Sequence, residues 1–403
     1  MLDLSWWRSA PPEARRALVA AALGWMLDAF DVMLFALALP ALMPALGIDL
    51  RAGGLLGSIT LAASAIGGVV FGVVADRYGR TRALSISILL YSVFTAACGL
   101  AQNVVQLAIL RICLGLGFGG EWASGAALVS ETWPAGHRGK ALGLVQSAWA
   151  IGYGLAALVT MVVLPRWGWR AVFFVGIAPA LLTFWIRRAV REPEAWVRGR
   201  GAAGPRAGIG DIMRGQLGRA TLFLTLMNAA TMFAYWGFNS WVPTYLAAPE
   251  AQGGVGLEVA RMTGFVIVMQ MGTWLGYVTF GFVSDRAGRR RTYIAYLLAA
   301  AVLMQLYVVL RQPFVLLALG PVLAFFATGH FSGFGAVTAD IYPTAIRATA
   351  QGLTYNIGRL ASAAAPFIVG SLAQERGFGM ALSLTAMAYL LAAGMWKGVP
   401  NAE

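Results

Sequence analysis

Asp28 and Asp31 stand three residues apart inside an apolar run from Ala17 to Leu39. A charge at the centre of a bilayer-spanning helix costs several kcal/mol, between about 3 and about 17, so such residues are rarely kept for packing. At helical spacing, positions i and i+3 share a face, and both acids can then line one polar interior. Arg111, Glu121, His330 and Arg359 lie in comparably apolar surroundings. The chemistry open to this set is proton binding by carboxylate or imidazole and capture of an anion by guanidinium. For either aspartate, the bland alternative is a hydrogen bond that merely ties one helix to the next.

Membrane-crossing helices have to position these groups. Hydrophobic residues make up 59% of the 403 positions and charged ones 12%, with a mean hydropathy of +0.71, far from a soluble domain's balance. The net charge of +13 does not point to nucleic acid, because the basic residues are scattered between apolar segments and not gathered on one domain. Twelve apolar stretches of spanning length begin near Ala17, Leu55, Ala83, Val104, Ala141, Ala171, Ala220, Thr263, Tyr293, Phe314, Ala350 and Met380. The first is long, carries two acids and lacks a small-residue cleavage site, so it is read as a retained span and not a signal peptide. Arg187 to Arg219 is rich in Arg, Gly and Pro. The expected division is a six-span bundle over residues 1–186, a cytoplasmic linker over 187–219 and a second bundle over 220–403. With the N-terminus inside, the inner segments hold 22 of the 30 Lys and Arg and the outer loops six, so both termini are expected on the cytoplasmic side of a cell membrane. Cys98 and Cys113 both lie in apolar segments and imply no disulfide framework.

An internal repeat sets the architecture. The run Gly72, Asp76, Arg77, Gly79, Arg80 recurs as Gly281, Asp285, Arg286, Gly288, Arg289, an offset of 209 residues. Glu131, Pro134, Arg138 and Gly143 match Asp340, Pro343, Arg347 and Gly352 at the same 209. Two six-span units with the same orientation are parallel repeats, related by an axis along the membrane normal.

The repeated G-x-x-x-D-R-x-G-R signature resembles that of the major facilitator superfamily, over essentially the whole chain. The resemblance implies an all-α integral membrane protein: twelve transmembrane helices in two pseudo-symmetric six-helix bundles, with spans one, four, seven and ten lining a cavity that opens alternately to each side. Within the superfamily, Gly24-Trp25 with Asp28 and Asp31, Gly117 to Trp122, Tyr342 to Gly352, and Tyr355-Asn356 with Arg359 are similar to the organic-acid:proton symporters. The sialate and lactate:proton symporters are the nearest groups, the aromatic-acid:proton symporters next.

Asp76, Arg77, Arg80, Glu131 and Arg138 fall at the inner ends of the first-half spans, and Asp285, Arg286, Arg289, Asp340 and Arg347 at the equivalent places in the second. They are expected to form an inner gate, paired when that side is closed and separated when it opens. Each pair near water contributes about 0 to 1 kcal/mol, which suits a contact that breaks every cycle. Topogenic charge is the alternative, but it explains neither the repeated Asp nor the repeated Gly.

Arg111 lies about 10 to 12 Å below the outer surface in span four, and Asp31 about 21 Å up from the inside in span one, at 1.5 Å per residue. In a core about 30 Å thick these depths match, so an ion pair between them is expected. Arg111 then either binds a substrate carboxylate or serves as counter-ion to an aspartate that carries the transported proton; a fixed structural pair is the alternative. Asp28 is the better proton carrier if Arg111 holds Asp31. The offset of 209 sets His330 opposite Glu121 across the pseudo-twofold axis, a pair that could couple protonation to closure. A hydrogen-bonded core histidine is the alternative there. Asn228, Tyr235, Trp236, Asn239, Tyr355 and Asn356 could offer hydrogen bonds and aromatic surface to a substrate, with packing as the alternative for each aromatic, and Arg359 pairs either with substrate or with the bundle interior.

Gly115, Gly117 and Gly120 fit the dinucleotide fingerprint, but no strand precedes them and no acid follows in a βαβ unit. Close helix packing explains them better. No phosphate-cradling loop, metal-ligand cluster or nucleophile elbow is present, so no cofactor, no metal and no enzymatic or ATP-driven step is expected. Glu192-Pro193-Glu194 after span six is expected to dock the inner helix ends. The function expected from the resemblance is proton-coupled uptake of a small organic anion, a monocarboxylate, hydroxy acid or sugar acid, by a monomer in the lipid bilayer. A proton-driven exporter of drugs or metabolites is the alternative.

Overall fold

The computed structural model describes residues 7, 10–134, 137–193 and 212–400. Within lipid a chain has no water to satisfy its backbone, so runs this apolar form helices whose N–H and C=O groups pair internally. The first half holds α1 (Pro12–Leu46), α2 (Leu50–Tyr78), α3 (Arg80–Cys98), α4 (Val104–Thr132), α5 (Arg138–Val175) and α6 (Ala180–Ala189). The second holds α7 (Gly215–Asn239), α8 (Val242–Ala247), α9 (Val259–Ala287), α10 (Arg289–Val309), α11 (Pro313–Gly329), α12 (Phe334–Ile341), α13 (Thr344–Ser362) and α14 (Ala365–Met395). Asp49 and Asn103 cap α2 and α4 by accepting from Ala52 N and Gln106 N, at 2.8 and 2.9 Å.

Among the described residues, nine helical segments are long and apolar enough to cross a membrane. Two of them turn back on themselves, at Gly168 (φ 73°) in α5 and at Gly377 (φ 80°) in α14, and each supplies two crossings. With α7, which falls short of that hydropathy, the twelve expected crossings are complete. The repeat is visible in the backbone itself. Gly47 and Gly256 (φ 64° and 74°), Gly79 and Gly288 (119° and 87°), and Gly168 and Gly377 are three pairs of left-handed glycines 209 residues apart, so the chain reverses at equivalent points in both halves. Residues 194–211 of the expected linker, with Glu194, lie outside the described residues.

Each half is held together by close helix contacts. A Cβ on Gly115 or Gly119 of α4 would run into the Thr60 or Ser64 carbonyl of α2, and one on Gly272 or Gly276 of α9 into the Pro321 or Phe325 carbonyl of α11. Of the fingerprint-like glycines, Gly115 and Gly117 let the α4 backbone touch those of α2 at Thr60 and α3 at Tyr91, and Gly120 makes room for the Phe71 ring. Glu192 straddles the N-terminus of α3, accepting from Thr81 N at 3.1 Å and Arg82 N at 3.2 Å. A carboxylate there satisfies two donors without an intrahelical partner and meets the positive end of the helix dipole.

The halves meet along α5 and α9, and again where the start of α2 packs against the start of α14. There Leu50 N donates to Gln374 Oε1 (3.1 Å) and Phe367 N to Ser58 Oγ (3.0 Å). A Cβ on Gly54 would strike the Pro366 carbonyl. These residues lie at the end of the bundle away from the chain termini, so the protein is closed on that face.

Candidate functional site

Asp28 and Asp31 are both buried in α1, at 1% and 2% exposure, yet they enter different surroundings. At 3.6 residues per turn they diverge by about 60° around the helix. Asp28 is within electrostatic range of Glu121 on α4, Arg359 on α13 and Asp31. Asp31 turns toward α3, where it approaches the Thr95 hydroxyl without meeting hydrogen-bond geometry. Tyr91, also on α3, is buried within range of Asp28, Asp31 and Glu121.

Glu121 fits because α1 and α4 leave a slot for it. A Cβ on Gly24 would lie 2.5 Å from Glu121 Oε1, and one on Gly125 would lie 3.3 Å from the same atom. Arg359 reaches this slot from the second half. It is 4% exposed, its Cζ stands 4.6 Å from the centre of the Phe118 ring, and it interacts with the charges of Asp28 and Glu121 and with Tyr355. The centre is therefore two acids from one half facing a guanidinium from the other, and among the described residues neither carboxylate has a hydrogen-bond partner.

Aromatic rings enclose this centre. Trp25 lies 4.7 Å from Trp122 and 4.8 Å from Trp149, ring centre to ring centre. Trp149 meets Trp236 edge-on at 6.0 Å, and Trp122 stacks on Tyr355 at 6.1 Å, so both contacts cross between the halves. Tyr235 packs edge-on against Trp236 and Phe331, both at 5.5 Å. The indole N–H groups of Trp25 and Trp149 are buried without acceptors among the described residues. Such a chamber offers flat faces for a planar or apolar body, N–H donors, and a charged end.

Two pairings expected from the sequence do not form. Arg111 and Asp31 make no ion pair: Arg111 donates from Nε to the Leu56 carbonyl (3.2 Å) and lays its guanidinium 3.6 Å over the Phe35 ring. Matching depth put them at one level, but the side chains leave their helices in different directions. His330 does not face Glu121. It sits inside the second half, 4.5 Å from the Phe331 ring, 6.0 Å from Tyr293 and 6.3 Å from Tyr389. The α-helix gives way to a 3-10 turn over His330–Gly333, which breaks the symmetry that would have aimed the imidazole inward.

The amides also divide. Asn239 donates to its own helix at the Tyr235 carbonyl (3.0 Å), and Asn228 joins α7 to α13 at the Thr354 carbonyl (3.4 Å). Asn356, exposed, donates to the Gly352 carbonyl (2.9 Å). These three contribute to helix geometry, whereas Tyr235, Tyr355 and Arg359 reach the chamber. Trp236, expected from the sequence, joins them, whereas Phe118, Trp25, Trp122 and Trp149 were missed as site residues. Trp25 and Trp122 stand in the stretches that carry the family resemblance, but an aromatic in a span reads as packing until its neighbours are known.

Residues 21–269 match the sequence profile described as Major Facilitator Superfamily. The chain belongs to that superfamily. It is 32% identical to the cis,cis-muconate transport protein of Acinetobacter baylyi over 382 residues, covering 93% of this chain and 91% of the relative. It is 29% identical to the sialic acid transporter NanX of Escherichia coli over 387 residues, covering 96% and 95%. In fold it resembles the E. coli xylose transporter XylE in a partially occluded inward-open conformation, with a TM-score of 0.80 at 19% identity, covering 97% of this chain and 99% of that one. This is a multi-pass membrane transporter and not an enzyme, with relatives that carry small organic acids.

The charged motifs of the superfamily fold appear twice, at equivalent positions. Arg80 pairs with Asp76 and donates from Nε to Glu131 Oε1 (3.0 Å); Arg289 pairs with Asp340, with Asp285 at 4.0 Å. These pairs join the helix ends of α2, α3 and α4 in the first half and of α9, α10 and α12 in the second. Arg77 and Arg286 are exposed, and Arg347 donates from Nε to the Tyr342 carbonyl (3.2 Å). The side chain of Arg138 lies outside the described residues.

Proposed function

We propose that this protein takes up a small organic acid together with protons, and that Asp28, Glu121 and Arg359 are the coupling centre. The observation that carries the reading is the meeting of two buried acids of one half with a guanidinium of the other, inside an aromatic chamber. Buried charge resists any rearrangement that leaves it unpaired. With both acids ionised, Arg359 is already engaged and an incoming carboxylate is repelled. Once the acids take up protons, Arg359 is left to the substrate carboxylate. Loading of anion and proton is therefore linked, and the loaded centre can change sides without an uncompensated charge.

The ring faces of Trp25, Trp122 and Trp149 favour a substrate with a flat or apolar body next to its carboxylate. The muconate and sialic acid transporters that the chain resembles are named for substrates of the organic-acid class. The test is uptake of labelled carboxylates of graded size into proteoliposomes carrying an imposed pH gradient. Accumulation against the substrate gradient that collapses with the pH gradient is the expected result; accumulation indifferent to it removes the proton from the reading.

A further inference from the structure

Arg111 has no role in the coupling centre, and its surroundings are peculiar. It is 2% exposed, its Nη1 has no hydrogen-bond partner among the described residues, and no described carboxylate lies within ion-pair distance. The ionisable neighbour within its electrostatic range is the Cys98 thiol. The Leu56 carbonyl and the Phe35 ring hold the guanidinium in place but leave its charge uncompensated. A buried charge that lacks a counter-ion is costly to keep.

Arg111 also lines a cavity of about 20 Å³, room for about one water, walled by Phe35 and Gly54 of the first half and by Trp236, Trp241 and Pro366 of the second. The cavity lies under the α2–α14 seam that closes the face away from the termini, since Gly54 and Pro366 form both the seam and the wall. Separating α2 from α14 would widen this space and uncover Arg111. Trp236 is shared: one side borders the cavity, the other meets Trp149 at 6.0 Å and Phe118 at 6.2 Å, and Phe118 carries Arg359 on its face.

We propose that Arg111 is a second anion site, a receiving station in the closed-face gate where a substrate carboxylate binds when α2 and α14 part, before it passes Trp236 to Arg359. The proposal rests on the carboxylate reading of the substrate. Its chemistry is that of one small carboxylate held by a guanidinium pre-oriented on an aromatic ring. The station adds sidedness: it serves entry from the closed face and is passed by when substrate enters the chamber from the terminal side.

The test compares Arg111→Gln, Arg111→Lys and Arg359→Gln in right-side-out and inside-out membrane vesicles, with benzoate, nicotinate and cis,cis-muconate as labelled probes. For Arg111→Gln, KM should rise about tenfold to a hundredfold for entry at the face away from the termini, as expected for a lost charged hydrogen bond, and stay within about twofold of wild type at the other face. Arg111→Lys, which keeps the charge and guards against a folding defect, should show a smaller one-sided rise, and Arg359→Gln should fail from both sides. Equal loss from both faces in Arg111→Gln and Arg111→Lys would make Arg111 part of one central site and overturn the station while leaving the transport reading intact. Wild-type behaviour of Arg111→Gln on both faces would overturn it as well. If wild-type protein moves none of the probes, the carboxylate reading fails and the station with it.

Discussion

Arg359 of the second half holds its guanidinium carbon 4.6 Å from the centre of the Phe118 ring of the first half. The contact crosses the interface that has to move during transport, and it delivers a cation to Asp28 and Glu121. Replacing it by Gln should weaken carboxylate binding about tenfold to a hundredfold, the effect of a lost charged hydrogen bond of about 1.5 to 3 kcal/mol. Arg359→Lys should recover part of this, because charge returns without the planar fork. Thermal-shift titration of purified protein with carboxylates of graded size measures both.

Neutralising the acids tests coupling. Asp28→Asn and Glu121→Gln each fix one member of the centre in an uncharged form, so substrate exchange across the membrane should persist while uphill uptake is lost. Wild-type uptake should rise as the pH on the loading side falls, because protonated acids release Arg359 to the substrate; in the variants that slope should flatten. Counterflow and pH-gradient-driven uptake in the same proteoliposomes separate the two activities. Variants that accumulate substrate as wild type does would remove these acids from the proton pathway.

Gly24 is a sensitive position of a different kind. A Cβ there would stand 2.5 Å from Glu121 Oε1, closer than any relaxed contact allows. Gly24→Ala should push the carboxylate out of its slot, at a cost of about 1 to 3 kcal/mol for overpacking, and reduce coupled uptake. Gly143→Ala is the control, because a Cβ at Gly143 meets nothing within 4 Å and should be tolerated. Unfolding temperature and uptake rate, recorded on both variants, distinguish a displaced Glu121 from a general loss of stability.

His330 separates sequence symmetry from function. Its ring packs on Phe331 at 4.5 Å among second-half aromatics, away from Glu121. His330→Phe should therefore leave the pH dependence of uptake unchanged, with any effect confined to thermal stability. A flattened pH profile in this variant would restore the imidazole to the proton pathway.

Much of the fold could be read along the chain. Twelve apolar stretches and a 209-residue repeat determine two six-helix bundles, because hydropathy and chain reversal are local properties: a run of spanning length forms a helix in lipid whatever its neighbours are, and the glycines at 47, 79 and 168 reverse the chain just as those at 256, 288 and 377 do. Buried charges were equally visible, since Asp28, Asp31, Arg111, Glu121 and Arg359 interrupt apolar runs. What the sequence alone could not decide is which of them meet. Depth along a helix follows from counting residues, but direction depends on where the helix is rotated and what packs beside it, so Arg111 settled on Phe35 and Leu56 and not on Asp31. One 3-10 turn at His330 was enough to break the symmetry expected from the offset. Asp28 and Glu121 come within electrostatic range of Arg359 only once the two halves are docked, because each lies more than two hundred residues from it and no local spacing encodes that meeting.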